Sequence, residues 1–159
     1  NVGGAHYALD HSAMAGGTMF AALAGFVDVR SGGNTQDIAV SRDGSRVYGA
    51  SGGGTDGGYK CGVADGANGS FIGALPGGDA YPNNVEVTSD GRPICGIQGW
   101  YATYDFWVYT PAGALLQGYK VAGYARALKA AQLVVLPDGL VVVALTDDPL
   151  IAFVPIGAP

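Results

Sequence analysis

Ile38-Ala39-Val40-Ser41-Arg42-Asp43-Gly44 returns as Val85-Glu86-Val87-Thr88-Ser89-Asp90-Gly91 and again as Leu133-Val134-Val135-Leu136-Pro137-Asp138-Gly139. Asp43 to Asp90 is 47 residues and Asp90 to Asp138 is 48. A fixed period of about 20–50 residues marks a repeat architecture. Ahead of each Asp-Gly the apolar residues alternate: Ile38 and Val40, Val85 and Val87, Leu133 and Val135. Period-two alternation lines one face of a strand. Asp-Gly suits the hairpin turn that follows, because Gly accepts positive φ and Asp bonds nearby backbone.

Working outward, the pattern predicts second strands at 46–50, 93–97 and 140–145. Third strands are expected at 59–63, 105–109 and 150–154, and fourth strands at 71–75 and 115–121. Gly or Pro punctuates most junctions, and Tyr124 to Ala131 is expected to be an irregular connector. One repeat is then a four-stranded antiparallel meander, the blade of a β-propeller, and the fold class is all-β. Tyr48, Cys95 and Val143, each five residues past the turn Asp, are expected at equivalent buried positions.

Residues 37–51, Asp-Ile-Ala-Val-Ser-Arg-Asp-Gly-Ser-Arg-Val-Tyr-Gly-Ala-Ser, resemble the opening of a blade in bacterial propellers with YVTN or NHL-like repeats. Residues 84–98 and 132–145 are looser versions, and the resemblance covers 37–159. It implies a propeller fold and assigns no catalytic residue, since the repeated positions belong to strands and turns. Propellers of this look include lactonases and dehydrogenase subunits, so activity has to be argued from a site.

The expected repeats are about 37–83, 84–131 and 132–159, the last truncated after its third strand. Residues 1–36 fit the period badly and read as an incomplete blade or an N-terminal excursion. Within them, strands are expected at 6–9 and 18–23 around a turn at 10–17, with a third at 26–29. The chain opens Asn1-Val2-Gly3 without an initiator Met, as a processed product, an excised fragment or a partial chain would. Propellers use about four to eight blades. Three blades therefore predict an incomplete ring or a segment of a larger propeller, completed by self-association or by the remaining blades of a longer chain.

Charged residues are 13% of the chain, Gly numbers 28, and the net charge is −5 with pI near 4.6. This balance argues against nucleic acid and anionic membrane surfaces as partners. No uncharged apolar run reaches the roughly 18–20 residues of a membrane span. His6 and His11 match no metal-ligand spacing, and neither a metal nor a cofactor is expected. Cys61 and Cys95 read either as buried free thiols or as a disulfide between adjacent repeats. An oxidising, extracytoplasmic setting (periplasmic or secreted) favours the bridge. The Gly-rich loops at 51–58 and 76–84 lack the Gly-Lys-Ser/Thr ending of a phosphate loop. Asn68-Gly69-Ser70 fits a hairpin turn as well as a glycosylation acceptor.

The segment Trp100-Tyr101-Ala102-Thr103-Tyr104-Asp105-Phe106-Trp107 joins the second and third strands of the middle repeat. Phe106 and Trp107 belong to the strand. Trp100, Tyr101 and Tyr104 are the ligand-binding candidates, since such rings stack on sugars or protein partners; packing at the blade edge is the competing role. No carboxylate pair and no nucleophile-base arrangement is legible. The leading reading is a non-enzymatic binding or assembly scaffold with a carbohydrate or protein ligand. The rivals are part of a propeller enzyme whose catalytic residues lie outside this chain, and a structural surface or virion component.

Overall fold

The computed structural model describes residues 9–10, 21–22, 35–51, 60–77, 82–97, 103–123, 130–138, 140–145 and 150–157. These residues contain strands and turns and no helix, so none of their elements is a helix long and apolar enough to cross a membrane. The first sheet is a meander of β3 (Thr35–Val40), β4 (Arg46–Ser51), β5 (Gly62–Asp65) and β6 (Phe71–Ala74). The second is β7 (Pro82–Val87), β8 (Pro93–Ile97), β9 (Phe106–Tyr109) and β10 (Leu115–Tyr119). The third is β11 (Ala130–Val135), β12 (Leu140–Leu145) and β13 (Leu150–Pro155). A separate pair joins β1 (Leu9–Asp10) to β2 (Ala21–Ala22), with Leu9 opposite Ala22. The four-stranded sheets are the blades that the period implies.

All three Asp-Gly hairpins form as expected. In the first two, the Gly takes the positive φ that a Cβ disfavours, 72° at Gly44 and 88° at Gly91. A hydroxyl two residues before the Asp completes each turn. Ser41 Oγ donates to Asp43 Oδ1 and accepts from the Arg46 N–H; Thr88 Oγ1 does the same for Asp90 and Arg92. Side chains that bond their own turn in this way fix its shape locally.

The first strands sit side by side, β3 against β7 and β7 against β11, so the sheets fan outward from a common hub. Every hub strand carries a β-bulge at the same place. The register shifts at Gln36, Asn83 and Ala131, again 47 and 48 residues apart. A bulge re-aims side chains and sharpens the local twist. Behind it, Asp37 reaches across the hub, where its Oδ2 accepts the Val85 N–H at 3.1 Å. The bulges also explain why the hub strands begin earlier than the alternation predicts. Pro82 to Asn84 and Ala130 to Ala131 are strand rather than connector; residues 124–129 lie outside the described residues. The rim strands of the first two sheets, β6 and β10, are bulged as well, at Ile72 and Leu116, which blunts those two edges.

Two apolar cores lie between the sheets. Tyr48, Ala50, Cys61 and Leu75 of the first sheet meet Val85, Cys95 and Tyr109 of the second. Ile94, Phe106 and Val108 of the second meet Leu133, Val141 and Ile156 of the third. Cys61 and Cys95 form a disulfide across the first of these interfaces, with Cα atoms 6.5 Å apart. Tyr48 and Cys95 are both buried, but on opposite sides of their sheets. The first hairpin holds one extra residue, Ser45, between Gly44 and the Arg46 that pairs with Ser41. That slip exchanges the faces. Tyr48 therefore corresponds to Ile94, and Cys61 to Phe106. The side chain of Val143 lies outside the described residues; its backbone pairs with Leu133 as that of Cys95 pairs with Val85.

The disulfide closes a loop of 34 residues. Chain entropy puts its stabilisation at about 3–4 kcal/mol. The Cys61→Ala/Cys95→Ala variant is expected to lose that much in urea unfolding. Gly66 presses its backbone on the first hairpin so closely that a Cβ there would stand 1.7 Å from the Gly44 carbonyl oxygen. Gly66→Ala is expected to cost about 1–3 kcal/mol in the same assay, as overpacking does.

Candidate functional site

Of the three aromatic candidates, Trp100 and Tyr101 lie outside the described residues. Tyr104 stands between β8 and β9, at the end of the second sheet opposite the Asp-Gly turn. Its ring meets the Trp107 ring edge-on, with centroids 4.9 Å apart, and lies over Gly118. A Cβ at Gly118 would come within 2.5 Å of that ring. Half-buried, Tyr104 is held in a slot of β10 and leaves part of its surface to solvent. Buried Asp105 anchors the same loop: its Oδ2 accepts the Val121 N–H at 2.6 Å.

The alternation gave no sign of a cleft at the other end, between the first and second sheets. It holds about 470 Å³ and is walled by Arg46, Tyr48, Ile72, Leu75 and Pro111. A smaller hollow of about 250 Å³ adjoins it beside Arg42, Asp43 and Ser89. Described side chains enter the equivalent place between the second and third sheets. There Arg92, the register counterpart of Arg46, is buried, pairs with Asp90 at 2.9 Å and donates to the Gly157 carbonyl at 3.0 Å. Ile156 fills the core where the first interface has Pro111. Arg46 instead lies exposed along the cleft wall, donating to the Ser45 carbonyl.

The acids near the cleft are committed to their turns. The Ser45 N–H and the hydroxyls of Ser41 and Ser45 hold Asp43 down at about 2. Burial pushes Asp90 up, but hydrogen bonds from Thr88 and Arg92 and the Arg92 charge outweigh it and hold it below the usual carboxylate range. Neither is placed to exchange protons near neutrality. At the hub, burial pushes the Glu86 carboxyl up, and the Asp37 carboxylate adds to it. Burial alone raises the Tyr109 hydroxyl, and it is the main cause of the rise at Tyr48. Among the described residues no three His, Cys, Asp or Glu side chains group as metal ligands would. His6 and His11 lie outside them.

The two outer sheet faces carry exposed apolar side chains. Ile38 and Val40 are 48% and 54% exposed on the first sheet. Their repeat counterparts Val85 and Leu133 are 1% and 0% exposed, each covered by the sheet before it. On the far side, Ile151 and Phe153 of β13 are 62% and 63% exposed, and Val134 of β11 lies on the same face. The pairings Gly96↔Phe106 and Ile94↔Val108 match Ala144↔Ile151 and Val142↔Phe153. Phe106 and Val108, the counterparts of Ile151 and Phe153, are 0% and 1% exposed beneath the third sheet. One set of repeat positions is thus sealed inside the stack and open at its ends.

No protein-family model matches the chain, and no curated protein matches it. Solved structures do share its fold. Hydrazine synthase of Kuenenia stuttgartiensis superposes with a TM-score of 0.66 at 17% identity, covering 82% of this chain and 36% of that one. The computationally designed Ika8 protein superposes with a TM-score of 0.50 at 15% identity, covering 80% and 39%. The chain spans little more than a third of either neighbour's length, and at such identities the likeness is one of fold alone.

Two pH effects follow. The folded chain binds the Asp43 proton less readily than the unfolded chain, so that carboxylate stabilises the fold above about pH 4 and stops doing so as pH falls toward 2. The destabilisation by Asp43→Asn is expected at pH 7 and should shrink across that window. Glu86 has the opposite sign: its raised pKa means stability is lost as pH climbs past the ordinary carboxylate range. Glu86→Gln is expected to raise the thermal midpoint at pH 7 and to leave it unchanged at pH 3.

Proposed function

We propose that this chain is a run of blades from a β-propeller of the YVTN or NHL-like kind, and that it serves as an assembly and binding scaffold rather than as an enzyme. The observation that carries the reading is the pair of open outer faces, whose repeat counterparts are buried wherever a neighbouring sheet is present. Contiguous exposed aliphatic surface on a sheet marks an interaction site. A further blade is the occupant this supports, since a neighbouring sheet covers the counterpart positions inside the stack.

The chemistry at the hairpin end supports a non-catalytic role. Asp43 and Asp90 are consumed by their turns, and the hydroxyl of Ser45, the serine of the cleft wall, donates to Asp43 as part of the same turn. Trp100, Tyr101 and Tyr104 form the second proposed contact, for a protein or carbohydrate ligand. Tyr104 offers the partly exposed, pre-oriented ring that stacking calls for. The disulfide between the first two sheets favours an oxidising, extracytoplasmic setting.

Hydroxyl-radical footprinting tests the reading on two samples, the native assembly and the isolated chain. Ile151, Phe153, Ile38 and Val40 are expected to react in the isolated chain and to be protected in the assembly. If all four stay as reactive in the assembly as in isolation, no blade covers these faces and the reading fails.

A further inference from the structure

The two outer faces are complementary halves of one interface. At the junction of the second and third sheets, Phe106 and Val108 meet Leu133, with Val135 packed against the same cluster. The outer face of the third sheet presents Ile151 and Phe153 at the positions of Phe106 and Val108. The outer face of the first presents Ile38 and Val40 at the positions of Leu133 and Val135. Side-chain sizes carry over as well: Leu and Val become Ile and Val on one side, and Phe and Val become Ile and Phe on the other. Such faces stack by the hub-to-rim geometry already present twice in the chain.

We infer that a second copy of this chain docks head to tail, its first sheet on the third sheet of its neighbour. The inference rests on the blade-scaffold reading above. A contact between unlike faces closes into a ring or runs on as a filament. Leaving aside the two-stranded β1–β2 pair, the three described sheets of three or four strands per copy make six in a pair, inside the range of about four to eight blades over which propellers close. Three copies would exceed it. The product is therefore a two-fold dimer in which each copy uses both faces, leaving no outer face open. Charge does not oppose the contact, since the residues that define it, Ile38, Val40, Val134, Ile151 and Phe153, are all apolar.

A charge exchange tests the direction of docking. Val40→Lys places a cation on the first face, and Phe153→Glu places an anion on the last. Both positions are solvent-exposed in the single chain, so each charge is hydrated and the fold is expected to survive, as circular dichroism will check. If either variant fails to fold, Ile38→Lys with Ile151→Glu asks the same question. Native mass spectrometry is expected to find a dimer for the unaltered chain and a monomer for each variant alone. An equimolar mixture should restore a dimer holding one copy of each, since one junction gains a Lys–Glu pair and the other is unaltered. Two results would overturn the inference. One is an unaltered chain that stays monomeric at every concentration, whether residues 1–34 or blades of a longer polypeptide cover the faces. The other is a dimer abolished by one variant only and not restored by mixing, as pairing of like faces requires. If footprinting still shows both faces protected in the native assembly, the scaffold reading stands while docking of a second copy fails.

Discussion

Face-to-face apolar packing between successive sheets is the interaction on which everything else depends. A meander of three or four strands with apolar residues on both faces has no stable existence in water by itself; it has to be covered twice. The second sheet meets that requirement, with Val85, Cys95 and Tyr109 buried toward one neighbour and Ile94, Phe106 and Val108 toward the other. Among the described sheets, the first and third have a neighbour on one side only. Burying a large aliphatic or aromatic side chain contributes about 1.5–3 kcal/mol. Ile38, Val40, Ile151 and Phe153 therefore represent a substantial driving force for association that the described sheets leave unused.

The two internal junctions solve the same packing problem with different residues. Phe106 fills one; the Cys61–Cys95 disulfide, with Cys61 at the position of Phe106, fills the other. Arg92 seals the hairpin end of one through the Gly157 carbonyl, while its counterpart Arg46 leaves the other open as a cleft. The disulfide thus staples the junction with the more open end. At the hub, the Asp37 carboxylate accepting the Val85 N–H adds a directional link between hub strands that apolar contact does not supply.

Much of this was legible in the sequence, for a physical reason. Asp-Gly with alternating apolar residues on both sides is specified within a dozen residues, so β3–β4, β7–β8 and β11–β12 could be read directly. The fourth strands, β6 and β10, matched within two residues. The misplacements came where local chemistry is ambiguous. β5 runs from Gly62 to Asp65 rather than from Tyr59, because Gly-rich flanks carry little strand signal. The extra Ser45 turned Tyr48 to the other face, and counting from the turn Asp cannot detect a lengthened hairpin. The bulges at Asn83 and Ala131 hid in polar or small residues that read as connector, and the one at Gln36 in the opening segment that fits the period badly. The cleft depends on how Arg46 and Arg92 differ in their surroundings, which is a tertiary property. The aromatic segment stood out in the sequence, but of its three candidates only the slot that holds Tyr104 is described in the structure.

The central claim is that burial on both faces, rather than hydrogen bonding within a sheet, sets the stability of each blade. Native-state hydrogen exchange on the dilute chain tests it directly by comparing β4, β8 and β12. Each of these strands is bonded on both edges within its own sheet, so hydrogen bonding is matched, and using the Cys61→Ala/Cys95→Ala variant removes the crosslink on β8 and leaves face coverage as the difference. Opening free energies follow the buried contacts a segment must break. The account predicts slowest exchange in β8, Pro93–Ile97, with β4 and β12 measurably faster. Exchange in β4 or β12 as slow as in β8 would contradict it.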